Sequence, residues 1–395
     1  MSSPSNVGRR LVALPARQDA WLVDAIATAW ERGEAVCVVD VSSPMVRQRL
    51  DALGAHVLRL ESSEITLDPS APPLHDDAWI VQVTSGTTGA PKAVVLTESN
   101  VRASAHAVGE RLGISSHDHW TTALSPAFIG GLATIARAIV AGVPITLLAR
   151  HRPEHFARAV AAGATLTTTV ASALLEIDTR PFRAVILGAQ PATGNLAPNM
   201  HTSYGMTETG SGVVYDGVAL PGVEARLVDG LIELRGPMIA QTYRTGAPIL
   251  GPDGWLATGD VGVLRAGRLE VLGRAGDLIN SGGHHVPPDP VEAVLRRTLA
   301  DRVVDLAVYA TADDRLGETV TLAVVAERPP SPADLRRSLE GLIETPWIPR
   351  RVVAVTSIPR TETGKPLRRL LPGAVARTPQ ASTTDGSAAS IAAVS

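Results

Sequence analysis

Apolar residues recur along this chain in two rhythms that keep exchanging places. QDAWLVDAIATAWERGEA carries the 3.6-residue spacing of a helix, with Gly33 near its end. AVCVVDV is a short continuous apolar run and predicts a strand; VRQRLDALGA predicts a helix, and HVLRL another strand. AWIVQV and AVVLT flank a polar loop. Beyond them NVRASAHAVGERLG, GGLATIARAIVAG and PEHFARAVAAG read as helices, alternating with the extended segments WTTALS, VPITLLA, TLTTTVA and RAVILG. Such alternation predicts largely parallel sheets, with ligands near the C-terminal ends of strands.

From about Gly212 the rhythm becomes one of short paired strands. ARLVDGLIELRG sets Asp229 and Gly230 between two alternating runs, a strong hairpin signal, and GVLRAGRLEVLGR repeats the pattern around Ala266 and Gly267. A third region opens near Asp277. VEAVLRRTLA and SPADLRRSLEGLI read as helices, the second with Ser331 as N-cap, and VVDLAVYAT, TVTLAVVAE and RRVVAVTSI as strands. The fold expected is α/β: a large N-terminal domain over 1–275, built of layered sheets and helices with a β-rich subdomain, then a small α+β domain over 277–375. RTPQASTTDGSAASIAAVS, from about 376 to 395, is small and polar and is expected to be a disordered tail.

Composition narrows the function. A length of 395 residues suits two or three domains. The net charge of −3 offers no electrostatic case for nucleic acid, and scarce aromatics argue against a base-stacking surface. Cys37 is the single cysteine, so no disulfide framework can form. The start of the chain lacks a sustained apolar core or cleavage pattern, and nowhere do 18 apolar residues run together. The expectation is a cytoplasmic protein with no membrane partner.

The loop after AWIVQV reads TSGTTGAPK, from Thr84 to Lys92. Gly86 and Gly89 allow a tight turn whose N–H groups approach a ligand closely. Thr84, Ser85, Thr87 and Thr88 add short hydroxyls, and Lys92 adds a point charge suited to phosphate oxygens. A polar hairpin turn between Val83 and Val94 would use the same residue types. The spacing is not that of the common P-loop. His151, Glu154 and His155 spell H-x-x-E-H, a zinc pattern, but Pro153 interrupts it and no third ligand is evident.

Five stretches in order resemble the core motifs of the acyl-adenylate-forming (AMP-binding) superfamily: TSGTTGAPK, SYGMTETGSG from Ser203, GWLATGD from Gly254, LGRAGDLI from Leu272 and PRTETGKPLRR from Pro359. Within it, the short N-terminal part and SYGMTETGSGVVYDGVALPGVEARL are most similar to the short o-succinylbenzoate–CoA ligases of menaquinone biosynthesis. The resemblance implies a two-step ligase. ATP and a carboxylic acid give acyl-AMP and pyrophosphate, and the acyl group then passes to coenzyme A.

The same resemblance assigns roles. The Thr84–Lys92 loop would hold the β- and γ-phosphates. Tyr204 would lie against adenine in a nucleotide-binding stretch with Gly205 and Met206; Thr207 would bond the α-phosphate region and Glu208 would bind Mg2+. Asp260 would accept the ribose hydroxyls with Arg274 beside it, and Gly188, Ala189 and Gln190 would occupy the adenine-contacting strand end. Lys365 would reach between the carboxylate and the α-phosphate, Phe128 would line and gate the acyl pocket, and Gly210 and Ser211 would complete its wall. The small domain would be mobile, turning about a hinge just after the GR pair.

Several positions depart from the pattern. Ala93 stands where glycine is usual, Gly276 where the hinge carries Asp or Lys, Pro290 where an acidic residue is common, and Phe128 where these ligases often have histidine. Gly188-Ala189-Gln190 replaces Gly-Gly-Ala. The hinge departures bear on the thiol half-reaction, so a carrier-protein phosphopantetheine stays open as acceptor. A non-catalytic binding protein would not need Lys92, Glu208, Asp260 and Lys365 together. A homodimer stays open as well.

Overall fold

The computed structural model describes residues 8–84, 91–188, 196–300, 302–361 and 364–372. The chain divides into two compact units, residues 1–276 and 277–395.

Two sheets, each of seven strands among the described residues, organise the first unit. In the first, Leu11–Pro15, Ala35–Val39, Val57–Arg59 and Ala78–Val83 form a parallel centre. In the second, Trp120–Thr122, Ile145–Leu147, Leu166–Val170, Ala184–Gly188 and the start of Met200–Met206 do the same. The strand–helix alternation predicts these parallel centres. It does not predict the edges, where Ala93–Thr97 pairs antiparallel with Ala78–Val83 and Ser211–Tyr215 antiparallel with Met200–Met206. Strand Leu11–Pro15 is fully buried at the centre of its sheet, although its five residues are too few to stand out from the flanking arginines in sequence.

Helices Glu98–Leu112 and Ile129–Ala141 contribute to apolar clusters on both sheets. The first begins two residues earlier than its apolar spacing suggests, because Thr97 caps it. The Thr97 Oγ1 accepts from the Asn100 N–H at 3.1 Å, and Asn100 Oδ1 accepts from the Thr97 N–H at 3.0 Å. Buried Asn100 also donates to the Pro237 and Ile239 carbonyls at 2.7 and 3.1 Å, fastening the helix start to a distant loop. In the second helix, eight consecutive residues from Gly131 to Ala138 are buried. A helix apolar all round belongs inside.

A four-stranded antiparallel sheet, Glu224–Val228, Leu231–Arg235, Leu256–Arg265 and Arg268–Arg274, completes this unit. Both predicted hairpins are present. Asp229 and Gly230 have φ of 50° and 79°, and Ala266 and Gly267 have φ of 49° and 75°, as the primed two-residue turns require.

The second unit packs helices Pro288–Thr298 and Pro332–Leu339 on a mixed sheet centred on the pair Asp305–Asp313 and Gly317–Val325. Ser331 caps its helix as expected, accepting from the Asp334 N–H at 3.1 Å. Pro153 opens helix Pro153–Ala161, so His151 precedes that helix while Glu154 and His155 lie on it. No described helix is long and apolar enough to cross a membrane.

Candidate active site

Strand Met200–Met206 delivers Tyr204 at its end, and strand Leu256–Arg265 delivers Asp260 opposite Arg274 of the neighbouring strand. The Tyr204 hydroxyl donates to Asp260 Oδ2 at 2.7 Å, and Arg274 Nε lies 2.8 Å from Oδ1. Asp260 is buried. Its own N–H donates to Thr258 Oγ1 at 3.0 Å, and Arg274 also donates to the Thr258 carbonyl at 2.8 Å. Both carboxylate oxygens are thus oriented, one by the tyrosine hydroxyl and one by the guanidinium, and a carboxylate held in this way is of the chemical type that accepts vicinal hydroxyls. Burial first, and then the Asp260 charge, raises the Tyr204 phenol far above its ordinary range, so it remains a donor. Asp260→Asn replaces one acceptor oxygen with a donor, and is expected to raise the KM for ATP about tenfold while the KM for the acid stays near its original value, as initial-rate titration of each substrate would measure.

A second group forms around Glu208. Tyr243, from the edge strand Thr242–Tyr243, donates to Glu208 Oε1 at 3.2 Å, and Lys92 Nζ stands 5.2 Å from the centre of the Tyr243 ring. Burial and the nearby Glu208 charge push the Tyr243 phenol up to about 12, so it stays protonated and donating at neutral pH. The Thr84 N–H donates to the Lys92 carbonyl at 2.8 Å, closing the base of the loop between two antiparallel strands. The loop is thus a hairpin connection in topology, with its lysine beside Glu208's partner. A carboxylate oriented by a single hydroxyl retains lone pairs for a divalent cation, and Mg2+ is commonly held by one or two carboxylates together with substrate phosphates. Glu208 fits that requirement.

Between these groups the chain makes a tight turn. Thr207–Thr209 is a single 3₁₀ turn closed by Gly210 at φ 65°, and Ser211 follows at φ 137°, a rare backbone state for a residue with a side chain. Its carbonyl accepts from Thr209 Oγ1 at 2.6 Å and its hydroxyl accepts from Arg137. A Cβ at Gly205 would lie 1.9 Å from the Ser211 carbonyl oxygen. Only glycine allows this pairing of the two strands.

The sequence singles out neither Arg137 nor Tyr243. Arg137 is the only charged residue in helix Ile129–Ala141 and is 4% exposed, with its Nε lacking a hydrogen-bond partner among the described residues. It lines an apolar recess with Ile129, Ala133, Gly210 and Ser104, whose buried hydroxyl is also unpartnered. The available signal was the helix itself: a helix with no polar face must bury its one arginine. Tyr243 offered no comparable signal, since two-residue edge strands have no periodicity to read.

Of the other expected positions, Gly188 ends its strand near the Ser203 side chain. Phe128 caps the helix that carries Arg137, but faces a different recess, beside Thr84, Gln82 and the Arg49 guanidinium 5.8 Å from its ring centre. Lys365 is exposed in the second unit. Ser85, Gly86, Thr87, Thr88 and Gly89 of the loop, Ala189, Gln190 and the 376–395 tail lie outside the described residues.

The model of the AMP-binding enzyme family matches residues 10–243, more than half of the chain, and that of the AMP-binding enzyme C-terminal domain matches 291–365. The chain belongs to the AMP-binding enzyme family. Among relatives in this family, the "Probable 2-succinylbenzoate–CoA ligase" of Mycobacterium tuberculosis (strain ATCC 25618 / H37Rv) is 37% identical over 324 residues, spanning 74% of this chain and 83% of that protein. The 2-succinylbenzoate–CoA ligase of Listeria monocytogenes serotype 4b is 32% identical over 74% of this chain and 69% of its own length. Among solved AMP-binding structures, o-succinylbenzoate CoA synthetase from Bacillus subtilis in complex with the acyl-adenylate intermediate OSB-AMP superposes with a TM-score of 0.79 at 26% identity, covering 92% of this chain and 88% of that one. The same enzyme in complex with ATP and magnesium ion gives 0.78 at 25% identity, covering 93% and 90%.

Proposed function

We propose that this chain is an ATP-dependent acid–CoA ligase whose acid is 2-succinylbenzoate. An oxygen of the substrate carboxylate attacks the α-phosphorus of ATP, the bond to the bridging oxygen breaks, and pyrophosphate leaves. The thiol sulfur of coenzyme A then attacks the acyl carbon of the mixed anhydride, and AMP leaves.

The residues divide this work. Asp260, held between Tyr204 and Arg274, receives the ribose hydroxyls and so fixes the nucleotide. Lys92 and the hydroxyls beginning at Thr84 hold the terminal phosphates. Glu208, oriented by Tyr243, would hold Mg2+, which would supply neutralisation of charge on the phosphate oxygens. Thr207 bonds the α-phosphate region, and Lys365 offsets the negative charge that accumulates as carboxylate and phosphate meet.

The observation that carries the choice of acid is Arg137. A guanidinium buried among Ile, Ala and Gly, bonded to Ser211 but with Nε unpartnered among the described residues, calls for a further acceptor, and an anion is the acceptor that also offsets its charge. An acid with a second carboxylate, left free after the first is activated, supplies that anion. 2-Succinylbenzoate has such a group, and the relatives named for it support the reading.

The test is pyrophosphate release with ATP, magnesium and a panel of mono- and dicarboxylic acids, each with and without coenzyme A. Expected are release with 2-succinylbenzoate and a CoA thioester as product. Release confined to monocarboxylic acids would overturn the Arg137 argument, and thioester formed only on a carrier-protein phosphopantetheine would move the enzyme to a different acceptor.

A further inference from the structure

Lys365 lies in a segment tied by main-chain bonds: the Thr361 N–H donates to the Lys365 carbonyl at 2.8 Å, and the Leu367 N–H to the Pro359 carbonyl at 2.8 Å, while the Lys365 N–H donates to Thr361 Oγ1 at 3.1 Å. Within it, the Gly364 N–H donates to the Thr361 carbonyl at 2.9 Å, and Gly364 adopts φ 82°. A side chain adds a further tie. Arg360 grips Asp305 at the start of strand Asp305–Asp313 through two nitrogens, Nε to Oδ2 at 3.1 Å and Nη2 to Oδ1 at 2.5 Å. Its remaining nitrogen, Nη1, donates to the Gly364 carbonyl at 2.6 Å. That carbonyl belongs to the peptide joining Gly364 to Lys365. One planar, rigid group therefore connects the sheet to the backbone that bears the lysine.

We propose that Arg360 is a positioning residue for Lys365, holding the Gly364–Lys365 peptide at a fixed height over strand Asp305–Asp313 so that the ammonium is presented in one orientation. The inference rests on the reading of Lys365 as the lysine of the adenylation step. Burial alone would push the Asp305 carboxyl up, but the Arg360 fork and charge outweigh it and hold the carboxyl below its usual value, so the anchor is a carboxylate at neutral pH. Asp305 also takes Arg296 Nη1 at 3.3 Å and its neighbour's N–H, from Leu306, at 2.8 Å. Removing Arg360 thus leaves Asp305 with Arg296 and the Leu306 N–H as partners, while the Gly364–Lys365 peptide keeps its N–H bond to Thr361 Oγ1 at 3.1 Å but loses its tie to the sheet through the Gly364 carbonyl.

The experiment compares full-length Arg360→Gln with the unaltered chain in two half-reactions: pyrophosphate release from ATP and acid, and thioester formation from supplied acyl-adenylate and coenzyme A. The expected result is about a tenfold fall in kcat for pyrophosphate release, since small misplacements of a catalytic group are costly, with both KM values and the thioester rate within twofold. Pyrophosphate release within twofold of normal, or an equal fall in both half-reactions, would overturn the proposal; the second pattern marks a merely structural role. Should the glutamine variant prove insoluble, Arg360→Lys keeps a charge facing Asp305 but cannot span to Gly364, and the same selective fall is expected, with normal rates overturning the proposal. Lys365→Ala assayed alongside separates the two ideas: normal pyrophosphate release in that variant defeats the reading of Lys365, whereas a fall there without one in the Arg360 variants defeats only this inference.

Discussion

Lys365→Ala is expected to slow pyrophosphate release by about 10²- to 10³-fold, the range typical of removing one pre-positioned donor from a developing charge. The carboxylate and the triphosphate are both anionic, so their approach concentrates negative charge between the attacking oxygen and the α-phosphate. An ammonium at that point stabilises the transition state more than the separated reactants. The effect therefore belongs in kcat, with KM for ATP nearly unchanged, because the proposed function gives nucleotide binding to Asp260, Lys92 and Glu208. Thioester formation from supplied acyl-adenylate involves no such approach of two anions and should persist. Stopped-time assay of both half-reactions would distinguish these outcomes, and an unchanged rate of pyrophosphate release would remove Lys365 from the mechanism.

Arg137→Leu is expected to raise the KM for 2-succinylbenzoate by about a hundredfold, the equivalent of about 3 kcal/mol for a buried charge pair that loses one partner. A second consequence is more diagnostic. Leucine relieves the unvariant protein of a buried, incompletely bonded guanidinium and leaves the recess apolar, so monocarboxylic aryl acids of similar size should gain relative to the dicarboxylic one. Initial rates with a matched pair, 2-succinylbenzoate and an analogue lacking the distal carboxyl, would measure the exchange of preference. Loss of activity toward both acids alike would place Arg137 among structural residues, supporting Ser211 at its strained φ rather than reading the substrate. The folded state can be checked independently through the thermal melt.

The sequence made the parallel centres and the hairpins visible because each is a local pattern. Period-2 and period-3.6 spacing needs only neighbours, and Asp229-Gly230 and Ala266-Gly267 carry the backbone freedom their turns demand. Strand Leu11–Pro15 was not legible, since five apolar residues beside two arginines look like any entry segment until strands on both sides bury them. Tyr204, Glu208 and Asp260, the residues proposed for the nucleotide, stood out through motifs, and the structure brings Tyr204 to Asp260 directly. Tyr243 and Arg360 were not, for a common reason. Each acts through a partner far away in sequence, 35 residues for Tyr243 with Glu208 and 55 for Arg360 with Asp305, and no periodicity encodes such pairs. Arg137 lies between these cases. Its helix announces burial, but only the fold reveals that Ser104 and Gly210 share its recess.

The pairing of strands Met200–Met206 and Ser211–Tyr215 through Gly205 has one more consequence. One arm of that hairpin carries Tyr204, whose hydroxyl bonds Asp260, and the other begins with Ser211, the hydroxyl against Arg137. If Tyr204 neighbours the nucleotide and Arg137 the distal carboxylate, as proposed above, one short hairpin would set the span between the two. On that reading an acid longer by a methylene would satisfy one end of the span only by leaving the other, and selection by length would follow from the same two strands.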